Sequence, residues 1–495
     1  MERTSTPAQA AERTDEAAAL ADFLENFRLL CSVPHPSGHE KALCDLLQTW
    51  AEGHGFAVRR NAADDLLFDV PATPGLEHLP LAALQAHLDM VCVALEGTPF
   101  DPLADPVVPV LDAEAGVLTA SGTSLGADDG AGVALTMSIA KGLMSHGPLR
   151  ILWTTDEEAG MTGAEAVTAD DLAGVKYLLN IDSEESDTVI VSSAAAALVV
   201  ATAAPRMEPP AGDAALAVTL SGLRGGHSGM EIGAGRCNAI IALARALAEM
   251  RKTIPFALAS FTGGTADNAI PAKAAAQITL AAKDRAAAAA FLADMERTLR
   301  SRYGDREPAL ALTTEETPLP PAVFAQPQAD AILAYVTESM DGVHTMSPDA
   351  EGLVESSSNL GLVAAGPDGV EIRQMPRSSV AARLEEIETR QLALGAECGL
   401  VVAVEEKSCP WPVKPGSRLV AAIAGAYRRV NGTPMKVSAI HAGLECGAFA
   451  VLSADLDIAS IGPDILGAHS PGETLLLPSV AKTWRLLETL LPSLG

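Results

Sequence analysis

The hydrophobic pattern changes period along the chain, and each change marks an element. Residues 18–31 carry apolar side chains at helical spacing. Pro34 and Pro36 break that helix. Ser37 and Glu40 then stand at capping-box spacing, ahead of Leu43, Leu46, Leu47 and Trp50 on one helical face that ends near Gly53 and Gly55. Mostly apolar runs of strand length lie at 79–86, 149–153, 177–181 and 456–462. A short strand is expected at 117–120 and a helix at 163–173. A further helix, capped by Asp129, is expected with Val133, Met137, Ala140 and Met144 on its apolar face. Residues 1–17, rich in Ala, Thr and Glu, are expected to fray. The stretch 98–112, rich in Pro and Asp, reads as a surface loop.

The apolar runs end in polar groups. The first closes on His87-Leu88-Asp89, the second on Asp156-Glu157-Glu158, the third on Asp182-Ser183-Glu184, and the last precedes His469. Unpaired carboxylates at the edge of a core are costly, so adjacent acids at a buried strand's end call for a reason. Each has a plain alternative when taken singly: capping acids for Asp156-Glu157-Glu158, a hydrogen-bonded core-edge histidine for His87, a helix-dipole pair for Asp128-Asp129. His35 and His39 read as loop and first-turn residues. The glycines of 122–132 suggest a phosphate loop only weakly, because no Gly-Lys-Ser/Thr or Gly-x-Gly-x-x-Gly is present.

Strands alternating with helices, with acids and histidines at the strand ends, predict an α/β doubly wound sheet with its site at the carboxyl ends of the strands. From 193 to 408 the texture changes. Strands at 214–220, 275–281 and 398–404 alternate with Ala-rich helices at 237–251 and 285–300. The expected organisation is therefore a catalytic domain in two parts, 1–192 and 409–495, around an inserted α+β lid domain, 193–408.

Composition narrows the function. Acids outnumber bases 63 to 34, a net charge of −29, which argues against nucleic acid or an anionic membrane surface and suits cations. No apolar run approaches the roughly 18 residues that span a bilayer. Near the N-terminus Glu2, Glu12, Asp15 and Glu16 lie among Ala and Thr with no apolar h-region, so no secretory signal is expected. Seven scattered cysteines, odd in number and without Cys-x-x-Cys, read as reduced thiols in a cytoplasmic protein.

Together, His87, Asp128, Glu158, Asp182 and His469 supply two imidazoles and three carboxylates. Three carboxylates and one hydroxide neutralise two Zn²⁺. One histidine and one terminal carboxylate per metal, with the third carboxylate bridging, would give two open sites about 3.5–4 Å apart. Asp89, two residues from His87 and on the same side of an extended chain, is placed to orient the imidazole. Glu157 is left free to act as a general base.

These residues sit in motifs that resemble a known family. They are Pro34-His35-Pro36-Ser37-Gly38-His39-Glu40, His87-Leu88-Asp89, the segment Gly122 to Gly132, Thr155-Asp156-Glu157-Glu158, Asp182-Ser183-Glu184, Gly225-Gly226-His227-Ser228-Gly229, Asn268-Ala269-Ile270-Pro271, His441 to Gly447, and His469-Ser470-Pro471. In this order they resemble the di-zinc metallopeptidases that include aminoacylases, glutamate carboxypeptidases and tripeptidases, and most nearly the aminoacyl-histidine (Xaa-His) dipeptidases. The large insert resembles the enlarged lid of that branch.

The resemblance implies metal-ligand roles for His87, Asp128 (bridging), Glu158, Asp182 and His469, and makes Asp89 and Glu157 catalytic acids. It implies an oxyanion role for His227 and substrate-holding roles for Asn268, Arg377 and Glu445, with Arg377 on the substrate's C-terminal carboxylate. The cofactor implied is Zn²⁺, two per chain, with Mn²⁺ or Co²⁺ as substitutes. The substrate implied is a short dipeptide, Xaa-His or carnosine-like, with a homodimer as the partner state to consider. Alternatives are the same chemistry on N-acyl amino acids or tripeptides, and a non-catalytic metal-binding descendant. The sequence departs from the family at Val191-Ser192-Ser193-Ala194-Ala195-Ala196, which replaces a Gly-rich, usually Cys-containing stretch.

Overall fold

The computed structural model of the protein describes residues 7–348 and 352–495. They divide into two compact units. One comprises the chain up to Ser192 with Trp411–Ala439 and Leu444–Gly495, and the other Ser193–Pro410 with Ile440–Gly443.

The first unit is built on an eight-stranded sheet. Its order is Arg59–Arg60, Leu66–Val70, Leu149–Thr154, Leu81–His87, Val175–Asn180, Asp457–Ser460, Thr188–Ser193 and Lys436–Ile440. The four strands from Leu149–Thr154 to Asp457–Ser460 run parallel. Leu66–Val70 and Thr188–Ser193 join them antiparallel. Parallel strands are covered on both faces, which is why these four read as mostly apolar runs. The helix Ala127–Ala140 is buried nearly all round and packs between the helix Pro7–Cys31 and the strand Leu81–His87. Trp153 is fully buried and locks the strand Leu149–Thr154 to that helix by donating its indole N–H to Thr136 Oγ1 at 2.9 Å.

Several local expectations are corrected. The first helix runs Pro7–Cys31, well into the stretch expected to fray, because its Ala-rich sequence has high helix propensity; residues 1–6 lie outside the described residues. Val117–Ala120 is a strand, but in a separate four-stranded sheet with Ile465–Leu466, Thr474–Leu476 and Pro109–Asp112, so the expected 98–112 loop ends in an edge strand. The helix expected at 163–173 spans only Thr162–Ala166. Beyond it, Asp171 accepts from the backbone and hydroxyl of Thr168 in a local turn that competes with helix.

The second unit carries a nine-stranded sheet. Its main path is Ala311–Thr317, Ala214–Ser221, Ala274–Leu280, Ala257–Gly263, Val354–Gly366, Gly369–Ser378, Ala195–Ala203 and Val401–Lys407, and Gly342–Met346 pairs with Val354–Gly366. Every one of these pairings is antiparallel. Helices Ala239–Arg251, Arg285–Tyr303, Gln326–Glu338 and Ala381–Cys398 pack on it around a separate apolar core. The strand expected at 398–404 starts at Val401, because the preceding helix continues to Cys398 and ends on Gly399 in the left-handed conformation. No helix among the described residues is long and apolar enough to cross a membrane.

Candidate metal centre and active site

The parallel strands deliver the candidate ligands to one edge of the sheet. His87 is the last residue of its strand. Asp128 stands at the kinked start of the helix Ala127–Ala140, where Asp128 and Asp129 have non-helical dihedrals. Glu158 follows Leu149–Thr154 through a turn in which Asp156 takes a left-handed φ of 59°. Asp182 lies two residues past Val175–Asn180. His469 lies beyond Asp457–Ser460, itself left-handed at φ 61°. Left-handed non-glycine residues are uncommon, though Asp and His adopt them more readily than most.

All five converge. His87 Nε2 is 3.2 Å from Asp128 Oδ1 and 3.3 Å from Asp182 Oδ1. His469 Nε2 is 3.1 Å from Asp128 Oδ2 and 2.8 Å from Glu158 Oε1. Asp128 therefore turns one oxygen to each imidazole, with Asp182 beside one and Glu158 beside the other. On its far side, His87 Nδ1 is 3.1 Å from the Asp89 carbonyl and 3.4 Å from Asp89 Oδ1. These oxygens accept from Nδ1, which turns Nε2 toward Asp128 and Asp182.

Asp89 also shapes the turn that carries the acids. Its carboxylate accepts from the backbone N–H of Glu157 at 2.9 Å, that of Glu158 at 3.1 Å, and the Ser37 hydroxyl at 2.7 Å. Here the expected capping box fails. Ser37 is drawn to the buried carboxylate, and Glu40 Oε1 accepts from Gly38 N at 2.8 Å and Asp156 N at 3.0 Å, so both residues brace the site. Among the described residues, no hydrogen bond engages the Glu157 carboxylate. Burial, reinforced by Asp182, Glu445 and Glu158, pushes that carboxyl well above its usual range.

The electrostatics fit divalent cations. Burial pushes Asp182 up to about 7, and the bonds to Asp128 and Glu158 push His469 up to about 11. No Lys or Arg among the described residues forms an ion pair with Asp128, Glu157, Glu158 or Asp182. Buried acids of this density need positive charge, and two imidazoles with three carboxylates form an open nitrogen–oxygen donor set of the kind that holds such ions. Asp129 also lies within ligand distance of His87 and Asp182. Its oxygens are used, however: Oδ1 accepts from Gly132 N at 3.0 Å and Oδ2 from His87 N at 3.3 Å. It caps the helix as expected, and a Cβ at Gly132 would overlap its carboxylate.

Glu445 is fully buried, with Oε2 accepting from Gln85 Nε2 at 2.5 Å and Thr154 Oγ1 at 2.8 Å. Burial pushes it up to about 8. Its partners lie on the strand that ends in His87 and the strand that leads to Glu158, and its Oε1 has no partner among the described residues. Nothing in its local sequence distinguishes this position from one that meets substrate.

The remaining predicted residues lie in the second unit. Gly226–His227 pairs with Ala269–Ile270, which sets His227 beside Asn268, whose carbonyl accepts from Ser228 N at 2.7 Å. His227 Nδ1 accepts from Gly229 N at 3.2 Å and Met230 N at 3.1 Å. The ring proton must then sit on Nε2. Burial, then the charge of Arg377, lowers the His227 pKa, so the ring stays a neutral donor. Arg377, on Gly369–Ser378, is buried with Nε unpartnered and Nη2 only 3.2 Å from Met375 Sδ; burial lowers it to about 10. Among the described residues no acid pairs with this guanidinium, which gives it the chemistry to receive an anion.

Residues 83–493 match the peptidase family M20/M25/M40. The chain belongs to this family. It is thereby a metal-dependent hydrolase, in keeping with the motifs from which the resemblance was read. A cytosol non-specific dipeptidase from Escherichia coli (strain K12) is 34% identical over 467 residues, covering 94% of this chain and 96% of that protein. An aminoacylhistidine dipeptidase from Vibrio alginolyticus has a solved structure that superposes with a TM-score of 0.88 at 34% identity, covering 96% of this chain and 97% of the other. The aminopeptidase PepT from Bacillus cereus superposes at 0.55 with 16% identity over 96% of this chain and 98% of its own, a likeness of fold alone. Within the M20/M25/M40 frame, sequence reading missed the bracing by Ser37 and Glu40, and it missed Glu473. Glu473 lies four residues past His469, and no periodicity singles it out.

Proposed function

We propose that the protein is a dipeptidase of the cytoplasm. It hydrolyses the amide bond of short dipeptides, Xaa-His among the preferred ones, with Glu157 as general base. The observation that carries this reading is Asp128, with one oxygen toward each histidine, together with a Glu157 carboxylate that no hydrogen bond engages among the described residues. The likeness to two dipeptidases along nearly their whole lengths supports it.

His87 with Asp182, and His469 with Glu158, would each hold one divalent metal, Zn²⁺ in this reading with Mn²⁺ or Co²⁺ as substitutes, and Asp128 would bridge. When bound, the pair supplies Lewis acidity toward the substrate carbonyl and acidifies the attacking water. Glu157 takes the water's proton on a carboxylate oxygen as the water's oxygen bonds to the carbonyl carbon. It then delivers that proton to the amide nitrogen as the C–N bond breaks. Asp89 keeps His87 and the Glu157 turn in register. His227 donates from Nε2 to the developing oxyanion. Arg377 receives the C-terminal carboxylate, Asn268 holds the substrate beside His227, and Glu445 is a third substrate-holding group. This chemistry requires His227 to reach the carbonyl, within one chain or across a homodimer.

Hydrolysis of a dipeptide library, with and without added Zn²⁺, Mn²⁺ and Co²⁺, tests the reading. Metal-stimulated cleavage of dipeptides, Xaa-His foremost, is expected. Faster turnover of N-acyl amino acids or tripeptides would replace it with the related amidohydrolase reading.

Two further results are expected. His227→Ala should keep its metals and fold, and lose about 10²–10³ in kcat, the usual cost of one oxyanion donor. Full activity would remove His227 from the mechanism. Arg377→Lys should raise KM with little change in kcat, because an ammonium cannot reproduce a two-pronged grip on a carboxylate. Dipeptides amidated at the C-terminus should show the same defect with the unaltered enzyme; if amides are cleaved as well as free acids, Arg377 does not read that end.

A further inference from the structure

The loop that carries His469 also ends in an acid, Glu473, and that acid is spent entirely on the loop that carries Asp128. Glu473 is almost fully buried. Its Oε2 accepts from Leu125 N at 2.8 Å and Gly126 N at 3.0 Å, and its Oε1 from Ala127 N at 2.7 Å and Asp128 N at 3.3 Å. Four successive backbone N–H groups therefore close on one carboxylate. The chain turns around it through Gly126, which is left-handed at φ 72°, and only then enters the kink at Asp128 and Asp129. The cluster lies wholly in the first unit.

A carboxylate that accepts from four donors fixes the path of the backbone that donates to it, and backbone N–H groups cannot be rearranged without moving the residue they belong to. The last donor is the amide of Asp128 itself. Four residues upstream of the acceptor, His469 contacts Asp128 Oδ2 and Glu158 Oε1. Glu473 thus ties together the two segments whose side chains meet at the His469 side of the centre. Asp89 braces His87 and the turn that carries Glu158, whereas Glu473 is the brace between the Asp128 and His469 segments.

We infer that Glu473 is a positioning residue: it sets the angle of the Asp128 carboxylate against His469, and so governs the metal held between Asp128, Glu158 and His469 more than the one held beside His87 and Asp182. The inference rests on the reading of these five residues as ligands. Groups that orient ligands typically change metal affinity or activity by about 10–100-fold when removed.

The test is Glu473→Gln. The amide keeps the size of the side chain but turns one acceptor oxygen into an N–H₂ that faces N–H donors. Metal-free unaltered protein and variant are titrated with Co²⁺, following the visible absorption of the bound ion and the heat of binding, with circular dichroism and thermal unfolding run on both. The variant is expected to fold, to bind its first Co²⁺ within about threefold of the unaltered protein, and to bind the second 10–100-fold more weakly with an altered spectrum. At saturating metal, kcat should fall with KM little changed. Glu473→Asp should recover part of the affinity, because it restores the charge.

Equal weakening of both ions, or two unaltered affinities with an unaltered spectrum, overturns the inference. A variant that does not fold also overturns it, making Glu473 a structural cap. If the unaltered protein takes up no Co²⁺, the reading of the five ligands falls first. If it binds two and the variant binds two identically, only the role of Glu473 falls.

Discussion

Glu157→Gln is expected to keep both metals and to lose roughly 10²–10⁴ or more in kcat. The amide has nearly the shape of the carboxylate but takes up no proton from water and delivers none to the leaving amine. The turn itself should survive the change, because its ties run through the backbone N–H of Glu157 and Glu158 to Asp89 and leave the Glu157 side chain out. The neighbouring substitution separates the two roles. Glu158 Oε1 lies 2.8 Å from His469 Nε2, so Glu158→Gln removes a charge from the donor set and should lose metal. Elemental analysis beside steady-state kinetics reads both. If the two variants lose metal equally, the pair has been assigned the wrong way round.

Removal of the metals should abolish activity altogether. The centre holds buried acids with no Lys or Arg partner among the described residues, so a chelator takes away the charge that the donor set is built around. Added Zn²⁺, Mn²⁺ or Co²⁺ should restore turnover, and elemental analysis should give two metals per chain. The same treatment should lower the thermal midpoint. A ligand that binds only the folded state at a thousand times its Kd contributes about 4 kcal/mol per site, less whatever the unfolded chain binds. A fully active, metal-free preparation would refute the entire reading of the centre.

Much of this centre was legible before any tertiary structure. Parallel strands covered on both faces are largely apolar, so 79–86, 149–153, 177–181 and 456–462 stood out, and the acids and histidines at their ends stood out with them. The helix after Asp129 was legible for a different reason: a capping acid leads a segment with Val133, Met137, Ala140 and Met144 on one apolar face. Short-range competition was harder to read. Thr168 and Asp171 form a turn where helical spacing predicted more helix, and Ala-rich residues near the N-terminus extended a helix where charge and composition suggested none.

Functional side chains with only local clues were misread in the same way. Ser37 and Glu40 have capping-box spacing, and the cap is what that spacing ordinarily means. Asp89 is remote in sequence, and its need for donors outweighs the four-residue pattern. Glu473 likewise follows a histidine in a loop rich in Gly and Pro, where an acid has no period to belong to. Its four donors lie more than 340 residues away in the chain.

The amino-acid sequence by itself determined which strands are buried, which of them end in acids or histidine, and hence the donor types of the centre and the family to which the chain belongs. Those properties are local: they follow from the period of apolar residues and from the cost of leaving charge at a core edge. The tertiary structure decided the pairings. It set Asp128 between two histidines, gave Asp129 to the helix, placed the His227 proton on Nε2, and spent Ser37, Glu40 and Glu473 on bracing. A hydrogen bond is chosen by distance and direction among all the groups the fold brings near, and residues far apart in the chain carry no record of one another until the chain has folded.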